Sequence, residues 1–86
     1  MERAAAAQAM IDYLKNQVLR GVKIEIDEDT SLVSSGLIDS FALVDALLEL
    51  EKVTRRRIPA GRVSPPDMDT VNKMLDVAER VGLPRP

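Results

Sequence analysis

Gly36-Leu37-Ile38-Asp39-Ser40-Phe41 is the stretch that decides the reading, because it joins a long loop to an apolar helix. Asp39 suits the N-cap position, where its carboxylate can accept backbone N–H groups that have no partner inside the helix. Ser40 then takes the first helical position, beside solvent. Backbone donors and the positive end of the helix dipole converge there, a setting that favours a bound or covalent phosphate. The helix is predicted from Ser40 to about Arg55. Its apolar positions are Phe41, Leu43, Val44, Ala46, Leu47, Leu48, Leu50 and Val53. That stripe is wider than one core-facing side requires. Asp45, Glu49 and Lys52 fall on one line, and Arg55-Arg56-Arg57 stands at the helix end, where positive charge complements the dipole.

Working back from this stretch, Asp27 to Gly36 reads as a long loop rich in Asp and Ser. Leu32, Val33, Leu37 and Ile38 can pin it to a core. Long ordered loops in small domains are uncommon and often functional. Before it, Val22, Ile24 and Ile26 alternate with Lys23 and Glu25, but a lone strand this short has nothing to pair with. A first helix is predicted from about Arg3 to Leu19, ending near Gly21. Ala4 to Ala7 start it by propensity, and Ala7, Met10, Ile11, Leu14 and Val18 recur at helical spacing. Working forward, Pro59 and Gly61 break the chain. Ser64-Pro65-Pro66-Asp67 has the pattern of a short helical turn with a capping box. Asp69 can then cap a last helix, about Thr70 to Val81, with Val71, Met74, Leu75 and Ala78 as its apolar face and Gly82 and Pro84 after it. The sum is an all-α chain, a four-helix bundle with a long loop between helices 1 and 2 and a very short third helix. It reads as one domain over residues 1–86, with a core from about 8 to 81.

Composition narrows the chemistry. The chain has 86 residues, no Cys and no His, so it lacks disulfides, thiolate metal sites and the commonest general base. One Tyr, one Phe and no Trp leave no stacking platform for single-stranded nucleic acid, and a net charge of −2 does not suit a phosphate-backbone binder. No apolar run has the length of a membrane span, and Met1-Glu2-Arg3-Ala4 has no apolar signal core, so the cytoplasm is expected. Ser40 is a poor candidate for a hydrolytic nucleophile. No His can activate it, and Lys15, Lys23, Lys52 and Lys73 show no motif spacing around it. Taken alone, Asp39-Ser40 also fits a plain helix cap.

Four landmarks in order carry a resemblance. Gly36-Leu37-Ile38-Asp39-Ser40-Phe41 is followed by Val44-Asp45 and Leu48-Glu49-Leu50-Glu51, then by Arg57-Ile58-Pro59, then by Asp69-Thr70-Val71. Over about Met10 to Val81 the sequence resembles the acyl carrier protein family, which includes peptidyl, aminoacyl and D-alanyl carriers. The resemblance implies a four-helix bundle that is not an enzyme. It also implies a 4'-phosphopantetheine arm, drawn from coenzyme A, on Ser40 with Asp39 beside it. The arm would hold an acyl or aminoacyl group as a thioester. The chain itself has no sulfur nucleophile, so the cofactor would bring the reactive chemistry. The implied partners are a phosphopantetheinyl transferase, an adenylating or acyl-loading ligase or acyltransferase, and a downstream synthase or transferase. Neither nucleic acid nor stable membrane insertion is expected, and a monomer is. Phe41, Val44, Asp45, Leu48 and Glu49 would contribute to docking, by resemblance onto basic patches of the partners. Val44 fits a core position equally well, Leu47 is expected in the core, and the two acids also fit an ordinary solvated face.

Departures from the family pattern bear on cargo. Ala42 stands where many fatty-acid carriers have an acid, and the helix ends in Lys52-Val53-Thr54-Arg55-Arg56-Arg57 rather than an acidic cluster. Phe41 and Asp69-Thr70-Val71-Asn72-Lys73 look similar to stand-alone aminoacyl and D-alanyl carriers. Discrete polyketide and peptide carriers also fit. The alternatives are a carrier of fatty-acid synthesis and, from another class, a helical interaction module without cofactor.

Overall fold

The computed structural model describes residues 2–21 and 24–84. Val22 and Lys23, the first two residues of the strand-like alternation, lie outside them. Helix α1 spans Arg3–Tyr13, α2 Ser40–Thr54 and α3 Val71–Val81. The chain is mostly helical, as expected. The short third helix takes the form of a 3-10 turn at Pro65–Met68, preceded by another at Ala60–Arg62. Its capping box is formed: Asp67 Oδ2 accepts the Ser64 N–H and the Ser64 hydroxyl, both at 3.0 Å.

Glu2 starts α1, its carboxylate accepting the N–H groups of Ala4 and Ala5 at 3.0 and 3.1 Å. The helix continues as a π-helical turn, Leu14–Val18, in which the Leu19 N–H reaches the Leu14 carbonyl at 2.7 Å. This corrects one core expectation. A regular helix stacks Val18 beneath Leu14, whereas the wider turn brings Leu19 to that face. Leu14 and Leu19 are buried and Val18 is only half-buried. Arg3 ties α1 to α3 through Asp76 at 2.9 Å and Glu79 at 3.1 Å.

The core lies where α1, α2 and α3 meet. Met10, Leu14, Leu32, Leu50, Met68, Val71, Met74 and Leu75 are all fully buried or nearly so. On α3 the buried set is Val71, Met74, Leu75, Val77, Ala78 and Val81, adding Val77 and Val81 to the predicted face. On α2 only Ala46, Leu50 and Thr54 are buried, with Ala42, Leu43, Leu47 and Val53 packed at the edge of the core. The Thr54 hydroxyl is satisfied inside the helix by the Leu50 carbonyl at 2.7 Å.

Two further corrections concern the ends of helices. Thr70, not Asp69, caps α3: its hydroxyl accepts the Lys73 N–H at 3.0 Å. Asp69 is helical in backbone (φ −68°, ψ −32°), so its carboxylate is free to turn toward the loop. A small antiparallel ladder also forms, β1 at Arg56–Arg57 against β2 at Leu83–Pro84. A reversal makes it possible. Arg55 ends α2 in the left-handed region (φ 56°, ψ 37°) and turns the chain back. Gly82 is packed so closely at the crossing that a Cβ would overlap the Ala78 carbonyl oxygen and lie 2.9 Å from Arg56 Cδ.

Candidate functional site

Ser40 is exposed, in the first turn of α2. Asp39 is extended (φ −100°, ψ −176°) and caps the helix as predicted, Oδ1 accepting the Ala42 N–H at 2.9 Å. Its backbone carbonyl accepts the Leu43 N–H, also at 2.9 Å. The N–H groups of Ser40 and Phe41 have no acceptor among the described residues. They point backbone donors and the positive end of the dipole toward the Ser40 hydroxyl, with the Asp39 carboxylate capping the same turn.

The loop that delivers this turn is held at three points. Leu32 and Ile38 are buried on either side of Gly36, and the Ile38 N–H bonds the Leu32 carbonyl at 3.0 Å. Gly36 lies at φ +81° and donates its N–H to Val33 at 3.0 Å, a reversal that L side chains resist. Asp69 closes the third point. Its Oδ1 accepts the Val33 and Ser34 N–H groups at 2.9 and 2.8 Å, and the Ser31 and Ser34 hydroxyls lie 3.2 Å from its oxygens. The backbone adds a bond from Leu32 N–H to the Asp69 carbonyl at 2.7 Å. These donors, the Ser34 N–H foremost, hold the Asp69 carboxyl below the usual carboxylate range. Further back, the Asn72 N–H bonds the Glu28 carbonyl and the Asn72 amide bonds Asp29, so the start of α3 grips both halves of the loop. Sequence reading placed Asp69 as a cap. Its partners lie 35 to 38 residues away, beyond any local pattern.

Beside Ser40 runs an open, largely apolar groove of about 210 Å³. One wall is Leu43, Val44 and Leu47 of α2, and the other is Ala60, Val63, Ser64, Pro65 and Met68. Leu47 is half-buried, packed on the core yet lining this groove.

The outer face of α2 carries Phe41, Val44 and Leu48, which are 84%, 60% and 58% exposed. Asp45 is exposed, while Glu49 is half-buried and pairs with Lys52 at 3.7 Å. Tyr13 of α1 lies against this side. Burial first, then the Asp45 and Glu49 charges, push its phenol above the usual range. Glu51 faces inward along the chain, accepting the Ile58 N–H at 2.7 Å. That bond explains an acid at position 51 without any partner. Among the described residues no group of three acidic side chains is arranged to hold a metal, and no helix is long and apolar enough to cross a membrane.

The chain is similar to proteins named D-alanyl carrier protein. Over 74 residues it is 26% identical to those of Streptococcus equi subsp. zooepidemicus (strain MGCS10565) and Streptococcus equi subsp. equi (strain 4047). The similar region is 86% of this chain and 91% of each relative. No family model matches the chain, and no solved structure does.

Proposed function

We propose that this chain is a non-catalytic carrier of aminoacyl groups, bearing a 4'-phosphopantetheine arm on Ser40. The observation that carries the reading is the exposed Ser40 hydroxyl at the start of α2, with two backbone N–H groups beside it that have no acceptor among the described residues and an apolar groove at its side. These residues fit the group. The helix start favours a phosphodiester, and the groove can lay an arm against Val44, Val63 and Pro65. When attached, the arm supplies the thiol that a chain without Cys lacks. The residues themselves present and orient. Asp39 caps the helix start, and the Gly36 turn and the Asp69 bonds hold the loop that leads to Ser40.

The name of the relatives supports an aminoacyl cargo. The groove beside Ser40, about 210 Å³ and open, is smaller than the roughly 300–1,000 Å³ of pockets that enclose a drug-sized ligand, and does not by itself choose between a short acyl and an aminoacyl cargo. The proposed partners are a phosphopantetheinyl transferase, a ligase that activates the amino acid, and a transferase that receives it. They would dock on the α2 face formed by Phe41, Val44, Asp45, Leu48 and Glu49.

Intact mass spectrometry tests the reading. The protein is incubated with a broad-substrate phosphopantetheinyl transferase and coenzyme A, beside a Ser40→Ala control. The wild type is expected to gain one phosphopantetheine and the variant none. A folded wild type that stays unmodified, while a known carrier is modified in parallel, refutes the arm and leaves a helical interaction module.

A further inference from the structure

The arginine triplet at the end of α2 takes no part in the Ser40 site. Residues 52–62 carry five cationic side chains and no acid, in a chain whose net charge is −2, so the rest of the chain sums to −7. Such an asymmetry points to an anionic partner. The structure shows which of these cations are available to one. Lys52 is paired with Glu49. Arg56 lies over Gly82, its guanidinium 3.5 Å from the Gly82 carbonyl oxygen. Arg55, Arg57 and Arg62 are exposed, and none of them makes an ion pair or a side-chain hydrogen bond among the described residues. Arg3 and Arg80, by contrast, are paired with acids. In the β1–β2 ladder Arg57 is the register partner of Leu83, so the two side chains share one face. Leu83 is 55% exposed there.

We propose that this end of the molecule is a peripheral binding face for bilayers rich in anionic lipid. Arg55, Arg57 and Arg62 would meet the headgroup phosphates, and Leu83 would enter the acyl boundary beside Arg57. Nucleic acid suits the face less well. Three cations neutralise few phosphates, and both aromatic residues, Tyr13 and Phe41, lie on other segments and offer no stacking here. The acids of the chain do not cancel the attraction. The loop at Asp27–Asp29 is bonded to Asn72, at the far end of α3 from Gly82. At ~1.5 Å per residue that is about 15 Å away, beyond the ~8 Å over which salt screens charge. The same rise along α2 puts Ser40 about 20 Å from Arg55, so a chain held at a surface keeps its serine open to enzymes in solution. Each cation at an anionic surface contributes about fivefold to partition, so three give about a hundredfold, enough for reversible attachment.

Sedimentation with sucrose-loaded vesicles tests the face. The full chain is used without the arm, so the outcome does not depend on whether Ser40 is modified. At low salt, partition onto phosphatidylcholine vesicles containing about 30% phosphatidylserine should exceed that onto pure phosphatidylcholine about a hundredfold, and about 0.5 M salt should remove most of the difference. Arg57→Gln and Arg62→Gln should each lower it about fivefold, and Leu83→Ser about threefold. Lys73→Gln, an exposed cation near the start of α3, should leave it unchanged. Circular dichroism checks that the variants stay folded, as exposed positions should. Equal partition onto the two vesicles overturns the proposal, as does a loss from Lys73→Gln as large as that from Arg57→Gln. Tighter binding to a DNA duplex than to the anionic vesicles overturns it in favour of nucleic acid.

Discussion

Replacing Asp69 would release the loop that presents Ser40, and the geometry fixes how different replacements should rank. Both backbone bonds, from Val33 at 2.9 Å and Ser34 at 2.8 Å, end on the same oxygen, Oδ1, while both oxygens also lie 3.2 Å from the serine hydroxyls. Hydrogen bonds to a charged group contribute about 1.5–3 kcal/mol each where they are buried, and less where water can compete, as around this half-buried residue. Asp69→Ala loses both backbone bonds and the serine hydroxyl contacts and should cost roughly 2–3 kcal/mol. Asp69→Asn can keep its amide oxygen in the Oδ1 position and both backbone bonds, so it should cost only about 1 kcal/mol. A chain of this length has a stability of roughly 5–10 kcal/mol, so the Ala change is a large fraction. It should lower the melting temperature by about 10–20 °C. Acid adds a second signature. Because the Asp69 carboxyl is held below its ordinary range when folded, its contribution is complete above the unfolded value of ~3.9 and fades as the pH falls below it. Urea unfolding followed by far-UV circular dichroism between pH 7 and pH 3 measures both effects. The wild type should lose more stability on acidification than either variant. Equal costs for Ala and Asn, or a cost under about 0.5 kcal/mol for Ala, would refute the clamp.

Gly36→Ala should cost about 1–2 kcal/mol in the same assay, because φ is +81° and nothing lies within 4 Å of the added Cβ, leaving backbone strain as the only penalty. If it matches wild type, the left-handed turn does not exist in solution. Leu19→Ala should destabilise by about 2–4 kcal/mol and Val18→Ala by less than ~1.5, since the π-helical turn buries Leu19 in place of Val18. The reverse order would show that a regular helix persists to Leu19.

What the sequence alone determined is what neighbouring residues settle among themselves. The Asp39 cap and the Ser64–Asp67 capping box each depend on groups within one turn and are found as read, and Val71, Met74, Leu75 and Ala78 share one face of α3 as their spacing indicates, with Val77 and Val81 buried beside them. With them came the helical class and the place of Ser40 at a helix start. Tertiary structure decided everything that depends on distant partners. Asp69 looked like a cap because a local bond was available, yet loop donors more than thirty residues back outcompete that role. Arg56 and Arg57 met Leu83 and Pro84 only because α3 returns the chain beside them. The apolar stripe of α2 was too wide to assign from its pattern. A helix carries its side chains all around, and only α1, α3 and the loop decide which part of that circle is covered. They cover Ala46, Leu50 and Thr54 and leave Phe41, Val44 and Leu48 in water. Helical periodicity is a property of the segment itself, whereas burial is a property of what packs against it.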